Sequence, residues 1–314
     1  MNLEDNAYSS PSDPSVRFPV RDGIILALQR HGSFETDVSR LMREFYEENP
    51  FPNYEPNETL GSLIGKSKAR VFPEMLNRSI LPNSAVLEVG CGTGQLSNFL
   101  GIARRTVLGV DMSLGSLSLA EEFRSRNRLN TVAFAQMNLF EMQLQPESFD
   151  TVISLGVLHH TSDPEGGLKS ILRFLKKDGH IIVGLYNRYG RVKTYLRRAV
   201  FSVFGERFLR LDPYVRSYNV KWDKRKAWFM DQYRNPHESC HTMGEVLEWF
   251  DRAGVRFIRA VPSTVFGSSF SLEYKRSLLE EQDRGSTMDR MLSQLRQMVY
   301  DTEGGLFVMV GRKQ

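Results

Sequence analysis

Apolar residues follow two different spacings through the middle of this chain. Short, nearly continuous apolar runs, typical of buried strands, alternate with stretches in which apolar residues recur every three or four positions, typical of helices that bury one face. Strands joined by helices in this way form a parallel sheet with right-handed crossovers. The predicted strands are one that begins at Ala85, followed by 106–110, 131–137, 149–155 and 180–185.

Start and stop signals bound the predicted helices. Ser113 is a candidate N-cap, Asp163 precedes a proline at the first helical position, and Thr242 opens a capping box. Gly179 is the expected stop of the second of these helices. The predicted helices are 114–126, 164–177 and 243–252, and further along the chain strands at 255–260 and 306–310 flank two polar helices at 272–283 and 288–299.

The N-terminal quarter follows neither spacing throughout. Residues 1–20 are polar and contain three prolines, which predicts a mobile tail. Residues 21–79 carry apolar positions at helical spacing, with helices expected within 23–48 and over 67–79. Two prolines within 48–55 interrupt regular structure, and Phe51 and Tyr54 supply aromatic surface there.

Three glycines at alternate positions, Gly90, Gly92 and Gly94, follow the strand that begins at Ala85. Glycine permits positive φ and lets a ligand lie directly against the backbone. The apolar spacing after the loop predicts a helix whose N-terminal amides face that ligand. The dinucleotide fingerprint needs a further glycine where this chain has Gln95, so the fit to a dinucleotide site is poor.

With Glu88 before it, this loop resembles motif I of the class I S-adenosylmethionine-dependent methyltransferases. The resemblance covers residues 80–186 and 241–262, and the last ten residues less fully. It implies an α/β fold with a Rossmann-like, seven-stranded, mostly parallel sheet, helices on both faces and an antiparallel seventh strand. It also implies S-adenosylmethionine as cofactor, with Glu88 beneath its amino-acid end, and S-adenosylhomocysteine as product. In related methyltransferases an N-terminal segment lies over the cofactor and substrate, so residues 21–79 are expected to form a helical lid that includes Phe51 and Tyr54. The alternative is that these aromatics simply pack on the domain.

Residues that close the strands are the candidate cofactor contacts, because ligands of an open parallel sheet bind at the carboxyl ends of its strands. The resemblance implies that Asp111 accepts the ribose hydroxyls and that Met112 lies on the adenine face. Asn138 stands where the family has Asp and accepts from the adenine amino group, and Leu139 offers an amide. The predicted set is Glu88, Gly90, Cys91, Gly92, Gly94, Asp111, Met112, Asn138, Leu139, Leu155 and Gly156.

Two adjacent histidines are the candidate catalytic residues. The sequence Val-Leu-His-His-Thr-Ser-Asp-Pro at 157–164 resembles the segment after the fourth strand in the ubiquinone and menaquinone biosynthesis methylases and their small-molecule relatives. An oxygen or nitrogen nucleophile has a proton to lose, and a histidine that titrates near neutral pH can accept it. His159 or His160 is therefore predicted to be a base. The alternative is that one or both hold the loop together, since relatives with different acceptors carry the pair.

Five further side chains are expected near the methyl acceptor. They come from the lid, from the end of the fifth strand and from the loop before the helix at 243–252. The two histidines of that loop stand on either side of a cysteine, but this spacing is a weak metal signal and no metal is predicted. The candidate substrate residues are Tyr54, Tyr186, Asn187, His237 and His241.

Positive charge is concentrated after the fifth strand. Residues 186–234 hold 13 Lys and Arg against four Asp and Glu, whereas the whole chain has a net charge of +4. Residues 187–240 are therefore predicted to be a basic, aromatic-rich cap inserted into the core. The cap begins with an amphipathic helix at 191–204. Its apolar stripe consists of Val192, Tyr195, Leu196, Ala199, Val200, Val203 and Phe204.

Four interpretations of this cap remain open. The stripe is buried on its own domain or against a homodimer mate, or it docks on an anionic membrane surface. The basic and aromatic residues, including Tyr214 and Tyr218, contact nucleic acid, which is the least favoured partner because no RNA-binding module is recognisable. The cluster neutralises an acidic substrate.

Composition and cysteine content indicate a cellular compartment. Hydrophobic residues make up 41% of the chain and charged residues 25%, values ordinary for a globular protein. Two cysteines offer no disulfide framework, and no apolar run approaches the ~18 residues of a membrane-spanning helix. The expected location is cytoplasmic.

The sequence thus predicts an S-adenosylmethionine-dependent methyltransferase acting on an oxygen, nitrogen or carbon nucleophile of a small, partly apolar molecule. Two alternatives are an RNA methyltransferase that uses the basic cap, and a non-catalytic cofactor-binding partner subunit. The predicted divisions are a tail (1–20), a helical lid (21–79), the cofactor half of the core (80–186), the cap (187–240) and the completion of the core (241–314) with a helical insertion at 271–300.

Overall fold

Eleven strands form one mixed sheet in the part of the chain that the structure describes. The computed structural model describes residues 3–4, 7–11, 13–28, 36–52, 54–55, 57–204, 212, 222–268, 277–300 and 304–314. The strands are β1 (Leu3–Glu4), β2 (Ala7–Ser9), β3 (Arg17–Arg21), β4 (Ile24–Leu26), β5 (Ala85–Val89), β6 (Thr106–Asp111), β7 (Val132–Gln136), β8 (Phe149–Leu155), β9 (Leu175–Tyr186), β10 (Val255–Val261) and β11 (Leu306–Lys313).

The order of the strands is β1-β2-β3-β4-β7-β6-β5-β8-β9-β11-β10. The six central strands, from β4 to β9 in this order, are parallel to one another. The strand β11 lies between β9 and β10 and is antiparallel to both. Strand order and the antiparallel last strand agree with the predicted α/β architecture, although the sheet has more than the seven predicted strands.

Helices cover both faces of the sheet, and the apolar residues beneath them form two large clusters, one on each face. Capping signals bound several helices, as at Ser113, Asp163 and Thr242, whose side chains accept from backbone amides of the first turn. The helices are α1 (Asp37–Glu48), α2 (Leu60–Ala69), α3 (Val71–Ser79), α4 (Gln95–Gly101), α5 (Leu114–Arg126), α6 (Pro164–Leu172), α7 (Val192–Phe204), α8 (Trp222–Phe229), α9 (Met243–Arg252) and α10 (Thr287–Tyr300).

The N-terminus extends the sheet instead of forming the mobile tail expected for residues 1–20. The strands β2 and β3 pair with each other, and β3 pairs with β4 at the edge of the sheet. Tyr8 and Phe18 are buried, and the Tyr8 hydroxyl donates to the Gln143 carbonyl at 2.9 Å. Alternation of one apolar residue with polar ones is enough to attach such short strands to an existing edge.

Three predicted helices differ from those observed. The helix expected at 67–79 is divided at Arg70 into α2 and α3, which puts Pro73 in a first turn where no amide donor is needed. The helix expected to reach Lys177 ends at Leu172, because Leu175 already pairs with Phe149 in the sheet.

The third difference lies in the helix expected at 272–283. Its described part, residues 277–283, is not helical. The backbone there bonds elsewhere: the Leu278 amide donates to the Ser79 hydroxyl and the Gln282 amide to the Ile258 carbonyl, both at 2.7 Å. Residues 272–276 of the same prediction lie outside the described residues, as do Tyr214 and Tyr218 of the cap.

A search of the described residues for a helix both long and apolar enough to cross a membrane finds none.

Candidate active site

The carboxyl ends of β5, β6, β7 and β8 lie side by side, because these neighbouring strands are parallel. Glu88 is the penultimate residue of β5, and Asp111 closes β6. Asn138 follows β7 by two residues, and Gly156 follows β8 directly. The fold therefore brings the predicted cofactor residues to one edge of the sheet, where open parallel sheets bind ligands.

The glycine loop between β5 and α4 is held against β6. The amides of Gly90 and Cys91 both donate to the Val110 carbonyl, at 2.8 and 3.1 Å. At Gly92 φ is +52°, and a Cβ there would collide with the Phe51 carbonyl oxygen. The Cys91 side chain packs in the core, where burial raises the pKa of its thiol well above the ordinary value. Cys91 therefore offers a ligand its backbone and not its thiol.

Two carboxyl groups lie below the loop. The Ser97 hydroxyl donates to Glu88, and burial, together with the charge of Asp111, raises the pKa of Glu88 from 4.5 to about 8. Asp111 accepts from the amides of Gly92 and Ser113, at 2.8 and 2.9 Å, and burial raises its pKa as well. Carboxyl groups whose charged forms are destabilised in this way are stabilised by a bound cation.

The loop that follows β7 offers a polar side chain to the same edge. Asn138 is buried, and its Oδ1 accepts from the Phe140 amide at 3.1 Å, which leaves the second lone pair of that oxygen for a ligand donor. Leu139 is buried beside it, and the Met112 carbonyl accepts from the Gln136 side chain at 3.0 Å. The Asn138 bond fixes the loop that follows β7, and the Gln136 bond joins the end of β7 to the loop that follows β6.

Open space lies beside the end of β8. At Gly156, which follows Leu155, φ is +76°, and a Cβ would meet no atom within 4 Å. The Gly156 amide donates to the Gly184 carbonyl at 3.0 Å, which holds the end of β8 against β9. A ligand can therefore approach the backbone of Gly156 without displacing a side chain.

Glu47 and Pro52 of the predicted lid contact this edge. The Thr93 hydroxyl of the glycine loop donates to the Pro52 carbonyl. At the end of α1, the Glu47 carboxylate accepts from the Gly115 amide at 3.0 Å, a favourable place for negative charge because it is the N-terminus of α5.

The lid residue Tyr54 lies against α4 and α5. Its ring stacks on Phe123 with the centroids 4.6 Å apart, and its hydroxyl accepts from the Asn98 side chain at 3.0 Å. Tyr54 therefore contacts the helices that flank the glycine loop.

The histidine pair lies in one turn of 3-10 helix after β8, and its two members have different surroundings. His159 is completely buried, and neither ring nitrogen has a hydrogen-bond partner. Its ring stacks on Tyr186 at 3.9 Å between centroids. Burial and then the charges of His160 and Arg191 lower its pKa well below the ordinary value. His159 is therefore a neutral packing group at neutral pH.

His160 has a fixed tautomer. Its Nδ1 lies 2.6 Å from the His237 carbonyl oxygen, and since a carbonyl only accepts, Nδ1 carries the proton and Nε2 is the acceptor. Burial lowers the pKa of His160 from its ordinary value, while the Asp231 charge acts in the opposite direction. His160 thus presents an unprotonated nitrogen at neutral pH.

A buried polar network surrounds Tyr186, the last residue of β9. The Gln232 side chain donates to the Tyr186 hydroxyl at 2.9 Å, and the Arg191 guanidinium lies over the Tyr186 ring at 3.7 Å from its centroid. Arg191 has no exposed surface and forms an ion pair with Glu238 at 2.5 Å. The start of α7 is therefore anchored below Tyr186.

Tyr46 and Asp231 join the lid to the cap beside His160. The Tyr46 hydroxyl donates to Asp231 at 2.8 Å and accepts from the Asn235 side chain at 3.1 Å. The rings of Tyr46 and His160 meet edge to face, 6.1 Å between centroids. Sequence reasoning missed Tyr46, Arg191, Asp231 and Glu238. One available signal was that Asp231 is one of four acids in a strongly basic segment, and such isolated acids are candidates for buried pairing.

The other predicted substrate residues make local bonds. The buried Asn187 side chain donates to Gln294 at 2.8 Å, and His241 Nδ1 lies 3.1 Å from Glu245. His237 contributes its carbonyl to the histidine pair, as described above. Nowhere in the described residues do three or more His, Cys, Asp or Glu side chains form a group that could hold a metal ion.

Comparison with known families gives one match to a family model. The model describes a methyltransferase domain and matches residues 80–245. This range contains the glycine loop, every predicted cofactor residue and the histidine pair.

Two curated relatives match this chain over about half of their own length. An uncharacterized protein of a Synechococcus strain is 26% identical over 63% of this chain and 55% of that protein. The ubiquinone biosynthesis O-methyltransferase of Pseudomonas syringae pv. tomato is 31% identical over 42% of this chain and 54% of that enzyme. The chain thus spans about half the length of these relatives.

Among solved structures, PKMT2 from Rickettsia typhi has a similar fold. The likeness covers 83% of this chain and 55% of that chain with a TM-score of 0.57, at 16% identity. The same protein in complex with AdoHcy gives a TM-score of 0.53 over 78% of this chain and 53% of that chain. At this identity the likeness shows the fold alone.

Proposed function

This chain belongs to the methyltransferase domain family, and we propose that it transfers a methyl group from S-adenosylmethionine to a hydroxyl oxygen of a small, partly apolar molecule. The observation that carries the proposal is His160, whose Nδ1 is held by the His237 carbonyl so that Nε2 is an unprotonated acceptor. The name of the Pseudomonas relative, an O-methyltransferase, supports the choice of oxygen.

The residues at the cofactor edge fit S-adenosylmethionine. This cofactor carries a positive sulfur and a positive amino group, and the buried Glu88 and Asp111 are carboxyl groups whose charged forms a cation stabilises. Asp111 retains lone pairs for ribose hydroxyls beside its two backbone bonds. Gly90, Gly92 and Gly156 let the cofactor lie against the backbone.

When bound, S-adenosylmethionine supplies a methyl group already activated for in-line displacement by a nucleophile, so the protein has to orient the acceptor and take up one proton. His160 Nε2 accepts that proton from the acceptor hydroxyl. Because burial lowers the pKa of His160, the ring is unprotonated at neutral pH. A base that is ready at the working pH contributes ~10²–10⁴-fold to the rate.

The surroundings of His160 support a partly apolar acceptor. The rings of Tyr46 and Tyr186 both lie edge to face with His160, at 6.1 and 5.9 Å, and such rings offer apolar surface with polar ends. Asp231 holds the hydroxyl of Tyr46. An acceptor ring with one hydroxyl fits such a lining.

The test is a methyl-transfer assay with alkyl-substituted phenols and the matched anilines, followed by mass spectrometry of the products. We expect O-methylated phenols, and a fall in kcat of ~10²–10⁴-fold for His160→Gln with unchanged affinity for S-adenosylhomocysteine. In the unaltered protein, kcat should be constant near neutral pH and fall only below pH ~6.5, because the pKa of His160 is depressed.

His159→Gln is the matched control. It alters a packed, neutral ring and is expected to lower the midpoint of thermal unfolding more than it lowers kcat. Turnover of His160→Gln at the rate of the unaltered protein would overturn the role of His160. Products methylated on nitrogen alone would overturn the choice of oxygen.

A further inference from the structure

Most of the apolar stripe of α7 faces away from the described part of the protein. Leu196 is 64% exposed and Val203 74% exposed, and Val192, Tyr195 and Phe204 are exposed as well, whereas Val200 packs against the buried cluster that contains Phe201. The described residues of the chain's own domain therefore do not bury these five side chains, which was one of the interpretations that the sequence left open. A set of exposed apolar side chains along one helix marks an interaction surface.

The opposite face of α7 explains this orientation. Thr194 and Phe201 are buried, and Phe201 packs edge to face on Tyr233 at 4.6 Å between ring centroids. Arg191 lies at the start of the helix in its buried ion pair with Glu238. Rotating α7 to bury the stripe would expose Phe201 and break this ion pair, which is strongly unfavourable.

Positive charge exceeds negative charge near the stripe. Residues 187–205 contain Arg188, Arg191, Lys193, Arg197 and Arg198 and no Asp or Glu. Arg191 and Arg198 turn inward to Glu238, and Arg188 pairs with Glu245 at 3.4 Å. The Lys193 ammonium donates to the Val299 carbonyl at 2.7 Å, and the Arg197 side chain bonds to Tyr233. Two carboxylates therefore face five cations, which leaves an excess of positive charge beside the apolar face.

We propose that this face of α7 docks on the surface of a bilayer that contains anionic lipid. An amphipathic helix with aliphatic and aromatic side chains on one face and Lys and Arg beside it lies in the interface plane with the apolar side chains among the acyl chains. The helix has 13 residues and is ~20 Å long, so it presents several turns to the surface. This proposal does not depend on the identity of the methyl acceptor.

Charge complementarity favours lipid over the other occupants. In a two-fold dimer the same surface meets itself, so the flanking cations of both copies would face one another. Single-stranded RNA is bound by stacking bases on aromatic rings, whereas Val192, Leu196 and Val203 are aliphatic. An anionic bilayer satisfies the apolar stripe and the flanking cations together.

The test is flotation of the purified chain with vesicles of phosphatidylcholine alone and of phosphatidylcholine mixed with phosphatidylglycerol. We expect flotation with the mixed vesicles and at least tenfold weaker partitioning to the neutral ones. Leu196→Glu combined with Val203→Glu should weaken partitioning to the mixed vesicles at least ~10-fold, because two apolar side chains no longer enter the acyl region.

The matched control is Leu81→Glu, which alters a leucine that is 73% exposed and lies outside α7. It should float as the unaltered chain does. Circular dichroism of each variant verifies folding, and Lys193→Glu, which leaves the stripe intact and loses only a bond to the Val299 carbonyl, tests the charge separately and should also weaken flotation. Absence of flotation with mixed vesicles overturns the proposal, as does equal partitioning to neutral vesicles. A dimer in light scattering that Leu196→Glu and Val203→Glu dissociate, without flotation, would assign the face to self-association instead.

Discussion

The two sides of the proposed active site are built in different ways. On the cofactor side, Glu88, Gly90 and Gly92 are close in sequence, and the glycines let a ligand lie against the backbone. On the acceptor side, Tyr46 and Asp231 are 185 residues apart, and the groups beside His160 are side chains from separate segments. The first side is therefore visible as a motif, whereas the second exists only in the folded chain.

The largest expected effect tests how far the acceptor side depends on its side chains. Arg191→Met leaves the buried Glu238 with only the more distant Arg198 guanidinium, at 3.6 Å, as a cationic partner, and breaking a buried ion pair costs ~3–5 kcal/mol of unfolding free energy. Urea denaturation measures this loss. Glu238→Gln in the same chain should recover part of it. Arg284→Met, which breaks the exposed pair with Asp251, is the control and should cost at most ~1 kcal/mol. If Arg191→Met also costs at most ~1 kcal/mol, the acceptor side does not depend on this buried ion pair.

The next effect concerns the carboxyl group on the cofactor side. The pKa of Glu88 is raised from 4.5 to about 8, so the folded protein holds this proton to higher pH than the unfolded chain does. Stability from the protonated group is complete below pH 4.5 and is lost as the pH rises toward 8. Without cofactor, Glu88→Gln should therefore gain stability over the unaltered chain by roughly 2–3 kcal/mol between pH 5 and pH 7.

Thermal and urea denaturation at a series of pH values measure this gain. Glu280→Gln, at an exposed position, should show no comparable dependence on pH. If the stability difference between Glu88→Gln and the unaltered chain is the same at pH 5 and pH 7, the pKa of Glu88 in the folded chain is not raised above that in the unfolded chain.

A backbone change should affect the cofactor side alone. Gly92→Ala places a Cβ against the Phe51 carbonyl at a residue with φ of +52°, and strain of this kind costs ~1–3 kcal/mol. Calorimetric titration should show S-adenosylhomocysteine bound ~10–100-fold more weakly. Gly65→Ala in α2, where a Cβ meets no atom within 4 Å, should leave the affinity unchanged. Equal affinities in the two variants would show that the loop tolerates a side chain.

The smallest expected effects come from removing a single hydroxyl oxygen on each side of the site. Tyr46→Phe removes the bond to Asp231 and Tyr54→Phe the bond from Asn98, each worth ~0.5–1.5 kcal/mol. Tyr46→Phe should lower kcat for the acceptor and leave cofactor affinity constant. Tyr54→Phe should weaken cofactor affinity and leave kcat at saturating cofactor constant. If Tyr46→Phe weakened cofactor affinity and Tyr54→Phe lowered kcat, Tyr46 would belong to the cofactor side and Tyr54 to the acceptor side.

The core of the fold follows from the spacing of apolar residues. Strands at 149–155 and helices at 114–126 and 243–252 are predicted to the residue, because buried strands and capped helices carry local signals. The edge strands β2 and β3 carry no such signal. Each buries one aromatic residue, and they join the sheet through the neighbouring β4, whose partner β7 lies far along the chain.

The cap shows the limit of the same reasoning. Helical periodicity correctly predicts the helix α7, but it does not predict which face of the helix is buried. Arg191, the residue before the helix, lies on the buried side, and an arginine is buried only when it is paired. Its partner Glu238 is 47 residues away. The sequence therefore predicts the helix, and only the folded structure shows that the stripe with Leu196 is exposed.

The lid segment over the glycine loop has a kinetic consequence. It is attached at both ends: β4 before it pairs with β7 in the sheet, and after it the Glu58 carbonyl accepts from Arg126 of α5 at 2.8 Å. A strap tethered at two points has a high effective concentration at its docking site and loses less chain entropy on closing than a free tail does. Where a ligand passes beneath this segment, the rate of its local opening sets an upper limit on turnover.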